Sequence, residues 1–318
     1  MIRGRKRLGW GRGPGAWRKR ACAVAFSLAV SFAAWAQSGP PDPGQPASTA
    51  QPDPRQDRRD RLSYSLDSGG LGMLLKHAVE NTLLDQKPIW TGPFHMTEGD
   101  AKWWALFGAG TGVFIVYDRR LTSGIPRDGP PNTFGKVMSP FGQYWALYPA
   151  ALAFAVAGQH KRDQKAFETG GLLIQALTDS AIVVGALKLA AGRERPNQGD
   201  GGGHFLKGDY SFPSGHAIAS WTFASVVASR YRNKKAVPIL AYTVAAAISV
   251  SRVTGRDHFA SDVLAGGAMG FFIGRFVVQT RESRDGGSLS RRTSVLLPRL
   301  SPMLGRGDRG LALRWGAP

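Results

Sequence analysis

The chain has 318 residues, 43% of them apolar and 20% charged, with a mean hydropathy of −0.18. That balance excludes a protein embedded in lipid for most of its length but leaves room for a few spans. Forty-one Lys and Arg against 22 Asp and Glu give a formal charge of +19, which favours anionic partners; the single Cys excludes a disulfide scaffold and a Cys-built zinc site.

Residues 1–20 carry eight cations and no acid, and residues 21–34 form a short apolar run. Ala34-Trp35-Ala36 then supplies small residues where a signal peptidase reads them. The pattern predicts a secretory signal peptide over 1–36; an uncleaved anchor is the alternative, although the run is short for a span. Cleavage after Ala36 leaves 282 residues with 33 cations against 22 acids and, with Cys22 gone, no thiol. Nearly half of the excess positive charge is thus export signal. No zinc-finger, helix-turn-helix or aromatic-studded basic pattern remains, so no nucleic-acid partner is expected. Residues 37–61 are rich in Pro, Gln, Ser and charge and read as a disordered linker.

From residue 62 the pattern becomes helical. Leu71 to Leu84 reads as an amphipathic helix. Apolar stretches of helical length follow at 101–117, 143–158, 167–191, 216–231, 236–252 and 261–279, rich in Ala and Gly and without strict alternation. Pro196 is expected to stop the helix that begins near 167, and Pro238 fits the first turn of another. The expected class is all-α, a domain over 62–280 built as a bundle of six or seven helices. The basic Gly/Arg-rich tail, 281–318, either frays or pairs Ser294–Leu300 with Leu311–Trp315 as a short hairpin.

Three motifs fall at helix ends. Lys188 is followed seven residues later by Arg195-Pro196; Pro213-Ser214-Gly215-His216 opens the next helix; Ser251-Arg252 is followed by His258 and, four residues on, Asp262, expected to open a further helix and share one of its faces. Each has an ordinary explanation when taken singly: cations complementing a helix dipole, a turn and cap, a structural His–Asp pair. Taken together they do not. Consecutive helices with short connections run antiparallel, so the four helix ends carrying these motifs lie at one end of the bundle. Three cations, a helix N-terminus, a hydroxyl and two imidazoles then converge, a concentration of positive charge that suits a tetrahedral oxyanion. Gly215 permits close backbone approach.

These motifs resemble the signature of the type 2 phosphatidic acid phosphatase superfamily, which includes bacterial acid phosphatases and vanadium haloperoxidases: Lys-x6-Arg-Pro, Pro-Ser-Gly-His and Ser-Arg-x5-His-x3-Asp, all complete and in order within residues 188–262. The resemblance implies that Lys188, Arg195, Ser214, Gly215 and Arg252 bind phosphate. It implies that His258 is the nucleophile forming a phosphohistidine, that Asp262 orients it, and that His216 is the general acid and base. It implies a metal-independent phosphatase acting on phosphomonoesters or pyrophosphates, of lipids or of small soluble molecules, inhibited by vanadate. A vanadium-dependent haloperoxidase with vanadate as cofactor, or a soluble periplasmic acid phosphatase, is the alternative the same motifs allow.

Lipid substrates would call for membrane association. Counting crossings from an exported residue 37 places the motif end in the cytoplasm, whereas the positive-inside rule places the opposite end there, because Lys161, Arg162, Lys165, Arg230, Arg232, Lys234 and Lys235 cluster at it. An exported, membrane-associated enzyme with its site on the periplasmic side is expected. His204 and Asp209 lie in a Gly-rich loop expected to be solvated, Asp179 is expected to face the bundle interior, and Trp103, Trp104, Trp145 and Tyr148 mark either a membrane interface or packing.

Overall fold

Ala- and Gly-rich apolar stretches separated by short polar breaks build eight helices among the described residues: α1 Gly70–Thr91, α2 Glu98–Ser123, α3 Pro130–Met138, α4 Tyr144–Lys161, α5 Gln164–Ala191, α6 Gly215–Arg230, α7 Ala236–Thr254 and α8 Ala260–Glu282. The computed structural model describes residues 62–94, 98–126, 129–282, 299–304 and 309–314. The expectations for 1–36 and 37–61 lie outside them.

The bundle is all-α, as its residues predict. Two strands in the tail, β1 Arg299–Leu304 and β2 Arg309–Arg314, pair antiparallel with Leu300 opposite Leu313. Its first strand lies further along the chain than the Ser294–Leu300 the sequence suggests, and its second begins two residues before Leu311. Helix α3 is the element the apolar pattern does not show. It is nine residues long and opens with two prolines, Pro130 and Pro131, whose fixed φ suits a first turn.

Short connections set the antiparallel order. Between α4 and α5 the chain turns at Arg162, in the left-handed region (φ 56), and Asp163 caps α5 by accepting the Ala166 N–H at 3.1 Å. Helix α5 ends at Gly192 (φ 52), whose N–H donates to Lys188 O at 2.9 Å. The glycine ends the helix earlier than Pro196, because its left-handed conformation is the lower-energy stop. At the end remote from the motifs, Glu168 on α5 accepts from Arg230 of α6 at 2.6 Å and lies 3.6 Å from Arg281 of α8. The α5 start and the α6 and α8 ends therefore share that pole.

The core sits where α5, α6 and α8 meet, with Phe167, Leu173, Ala176, Leu177, Ala219, Val226 and Val277 buried. Glycines bring the backbones close. A methyl group on Gly270 would lie 2.2 Å from Ile218 O, one on Gly274 2.7 Å from Thr222 O, and one on Gly266 2.6 Å from Ser214 O. These three, four residues apart along α8, form one stripe against α6. Helix α1 and the segment before it dock through polar groups as well. Tyr64 donates to Gln175 at 2.7 Å, and Gln86 donates to the buried Asp179 at 2.8 Å, so Asp179 does face the interior. Helices at Gln164–Ala191, Ala236–Thr254 and Ala260–Arg281 are long and apolar enough to cross a membrane by length and composition.

Candidate active site

Four helix ends and one turn meet at the motif pole. Lys188 lies in the last turn of α5, and its ammonium donates to the carbonyl of Tyr210. Gly215 starts α6 beside it: a methyl group built there would stand 3.7 Å from Lys188 Cε. Ser214 precedes α6, and its N–H donates to the carbonyl of Asp262 at 3.0 Å, tying the start of α6 to the start of α8. Gly266, packed on Ser214 O, is what permits that approach.

Arg252 lies in the last turn of α7, where Asp257 holds its guanidinium at 2.9 Å and the Ser139 hydroxyl accepts from it. Ser139 is also 3.4 Å from His216 Nε2. It opens a short 3₁₀ turn, Ser139–Gly142, that covers the site from the α3 side. Arg195 lies on the loop after α5, where Gln198 accepts its N–H at 3.0 Å. The charges of Arg252, His258, Lys188 and Arg195 all act on the His216 ring. The structure therefore brings all eight predicted site residues, Lys188, Arg195, Ser214, Gly215, His216, Arg252, His258 and Asp262, to one place.

One local expectation is corrected. His258 and Asp262 are not a pair on one helix face: α8 begins at Ala260, so His258 stands in the preceding turn. Its N–H donates to Arg252 O at 3.2 Å, and the two side chains approach around the helix start, with Nδ1 3.6 Å from Asp262 Oδ2. That approach leaves Nε2 as the nitrogen available to a substrate. Asp262 is more heavily engaged than a His partner alone requires. Its Oδ2 accepts from the Ser211 hydroxyl at 2.6 Å and the Phe259 N–H at 2.9 Å, and its Oδ1 lies 2.5 Å from Arg193.

Burial is the main electrostatic fact. His258 is 2% exposed and Ser214 is fully buried. Burial, then the guanidinium of Arg252, lowers the His216 imidazole to about 3. Burial likewise holds His258 below the ordinary imidazole range, against the upward pull of Asp262. The Ser214 hydroxyl and Arg252 Nε are buried without a hydrogen-bond partner. Such groups are costly unless a ligand takes them up.

Ser139, Arg193, Asp118, Ser211 and Asp257 join the site without having been expected there. Arg193 and Asp257 lie inside the motif spacings, where any residue fits the pattern. Asp118 and Ser139 are distant in sequence, and no signal pointed to them. The Gly-rich loop is more ordered than its composition suggests, since Glu194 N–H donates to His204 O at 3.0 Å and Ser211 N–H to Arg193 O at 2.9 Å. Glu194, Asp200 and His204 place ligand atoms within 4.8 Å of one another on this loop, with Asp200 and His204 exposed and paired at 3.2 Å.

Residues 170–285 match the model of the PAP2 superfamily. The chain is 32% identical over 123 residues to a PA-phosphatase related-family protein of Dictyostelium discoideum, covering 33% of this chain and 45% of that one. It is 34% identical over 109 residues to a lipid A 1-phosphatase of Porphyromonas gingivalis, covering 33% of this chain and 23% of that one. The chain thus spans less than half the length of these curated relatives. Among solved structures it resembles a transmembrane PAP2-type phosphatidylglycerolphosphate phosphatase from Bacillus subtilis (TM-score 0.46, 19% identity, 56% of this chain and 95% of that one). It also resembles LpxE of Aquifex aeolicus (TM-score 0.40, 20% identity, 51% and 92%). The segment that matches the PAP2 superfamily model, residues 170–285, contains every motif residue of the cage.

Proposed function

We propose that the chain is a phosphoric ester hydrolase that transfers the phosphoryl group of a phosphorylated lipid to His258 and then to water. The observation that carries this reading is the buried Ser214 hydroxyl, without a partner at the start of α6 and in the same cage as Lys188, Arg195 and Arg252. A phosphoryl group seated there accepts from the three cations, from Ser214 and from the Gly215 N–H, donors that strengthen as charge builds on the equatorial oxygens.

His258 Nε2 attacks phosphorus, and the bond from phosphorus to the leaving oxygen breaks. The electron pair of that bond takes the proton carried by His216. Asp262 offsets the positive charge left on the His258 ring. Water then attacks the phosphohistidine, gives a proton to His216, and the N–P bond breaks to release phosphate and neutral His258. Fixed cations and the α6 dipole perform the charge stabilisation, so turnover is expected to resist EDTA and to be inhibited by vanadate.

Apolar side chains around the cage support a lipid substrate. Leu189, beside Lys188, is 70% exposed; Val250, near Arg252, is 51%; Phe141, in the Ser139 turn, is 58%. Exposed apolar side chains neighbouring the cage residues along the chain suit a phosphate carried on an acyl or isoprenoid chain. A cleft of about 340 Å³ beside the loop after Arg195, lined by Arg119, Thr122, Asp200 and Arg256 among others, offers room for a polar headgroup.

The test compares wild type and His258→Ala, purified without the signal segment, on phosphatidic acid in mixed micelles and on p-nitrophenyl phosphate. Loss of turnover by about a thousandfold or more is expected for the variant. A folded His258→Ala protein with normal turnover would refute the assignment, and a preference for the soluble ester would remove the lipid reading.

A further inference from the structure

Arg193 lies inside the first motif, yet no step above uses it. It is 1% exposed, the largest of the fully buried side chains among the described residues. Its guanidinium is sandwiched between Phe259, 4.3 Å from the ring centre, and Phe205, at 4.7 Å. Nη1 lies 2.5 Å from Asp262 Oδ1 and donates to Ser261 Oγ at 2.7 Å; Nη2 lies 2.8 Å from Asp118 Oδ2; Nε donates to Gly203 O at 3.1 Å. Asp118, 1% exposed on α2, also accepts the Ser261 N–H at 3.1 Å and the Ser261 hydroxyl.

The charges of this group need accounting. Paired with Arg193 alone, Asp262 would present His258 with a neutral ion pair, a poor partner for a ring that must become cationic. Asp118 supplies a second carboxylate to the same guanidinium, so the three side chains together carry one negative charge. In a buried setting that remaining charge is weakly screened. Asp118 lies outside the 170–285 segment and reaches the site only because α2 packs against α8.

We propose that Asp118 is a positioning residue that acts through Arg193: it keeps the Asp118–Arg193–Asp262 trio one unit negative, so that Asp262 retains the charge that orients His258 and stabilises its phosphorylated form. The proposal rests on the phosphohistidine reading above. Besides Asp262, the charged or titratable groups that face His258 are Lys188 from α5, His216 from α6 and Arg252 from α7. None of them is altered in the test.

The experiment measures kcat, KM and the pH dependence of kcat/KM on p-nitrophenyl phosphate for Asp118→Asn, Arg193→Gln, the double variant and His258→Ala. Asp118→Asn brings the trio to zero. Its kcat should fall about tenfold, and the acid limb set by His258 should move about one unit to lower pH. Vanadate inhibition should stay within about threefold, because the cage cations are untouched. Arg193→Gln leaves two uncompensated carboxylates and should move the limb to higher pH. The double variant restores one negative charge and should recover most of the lost rate and the original limb.

A slow Asp118→Asn enzyme whose limb does not move, or a double variant no better than Asp118→Asn, would reduce Asp118 to a packing role and overturn the proposal. If Asp118→Asn does not fold, Arg193→Gln decides, and an unmoved limb there overturns it. His258→Ala separates the two levels. Turnover retained in that variant sinks the phosphohistidine reading. Turnover lost there, with Asp118→Asn indistinguishable from wild type, sinks only the role of Asp118.

Discussion

His216 is the side chain whose protonation the cage controls most directly. Burial and Arg252 lower its imidazole to about 3, so above that value it is neutral while only the cage's own charges act on it. A bound dianion adds negative charge beside it and raises its affinity for a proton. Between the lowered and the raised value, anion binding must therefore take up a proton. Sulfate tests this, because it carries no proton of its own near neutral pH. Titration calorimetry at about pH 5.5, in buffers of different ionisation enthalpy, should show uptake approaching one proton per sulfate, abolished in His216→Ala. Uptake that survives in His216→Ala and disappears in His258→Ala would exchange the two roles. The same burial argument gives the sign for His258: its lowered affinity for protons favours the neutral ring that the proposed nucleophile needs, and activity is expected to fall as pH drops through its titration.

Helix α8 aligns the cage through its backbone contacts. Gly266, Gly270 and Gly274 lay it against α6, and the Ser214 N–H to Asp262 carbonyl bond at 3.0 Å is the first contact of that crossing. Gly270→Ala puts a methyl group 2.2 Å from Ile218 O, a backbone atom that cannot move aside as a side chain can. The expected result is a loss of about 2 kcal/mol or more in stability, seen as a lower Tm, and a rise in KM as the α6 and α8 starts separate. An unchanged Tm would show that the two helices are free to part. The motif spacings made the convergence of α5, α6, α7 and α8 legible, because antiparallel order follows from short connections. The spacing around His258 was misleading, because an i, i+4 pair reads as helical even when the helix begins between its two members.

At the scale of the whole molecule, three helices among the described residues have the length and composition of spans, and apolar side chains on α2 and α7, among them Val116, Tyr117, Ile239 and Leu240, face outward. Membranes from cells expressing the full chain should keep it in the pellet after carbonate extraction at high pH. Release into the supernatant would remove the integral reading and favour a soluble enzyme. The basic pole, with Lys161, Arg162, Lys234 and Lys235 exposed, lies opposite the cage. The positive-inside rule predicts that pole on the cytoplasmic side of a membrane and the cage on the outer side. This is the orientation an exported substrate needs, although it disagrees with a crossing count that starts from an exported residue 37.

The sequence by itself determined the helical class and named the eight residues that the bundle brings together, because short connections between antiparallel helices put their ends at one pole whatever the detail of packing. Only the tertiary structure brought in Asp118 and Ser139. They come from α2 and from the turn before α4, segments whose composition says nothing about which face of the bundle they cover. A buried arginine needs a counter-charge from whichever element happens to pass it, and that neighbour is a property of the packed bundle rather than of any motif.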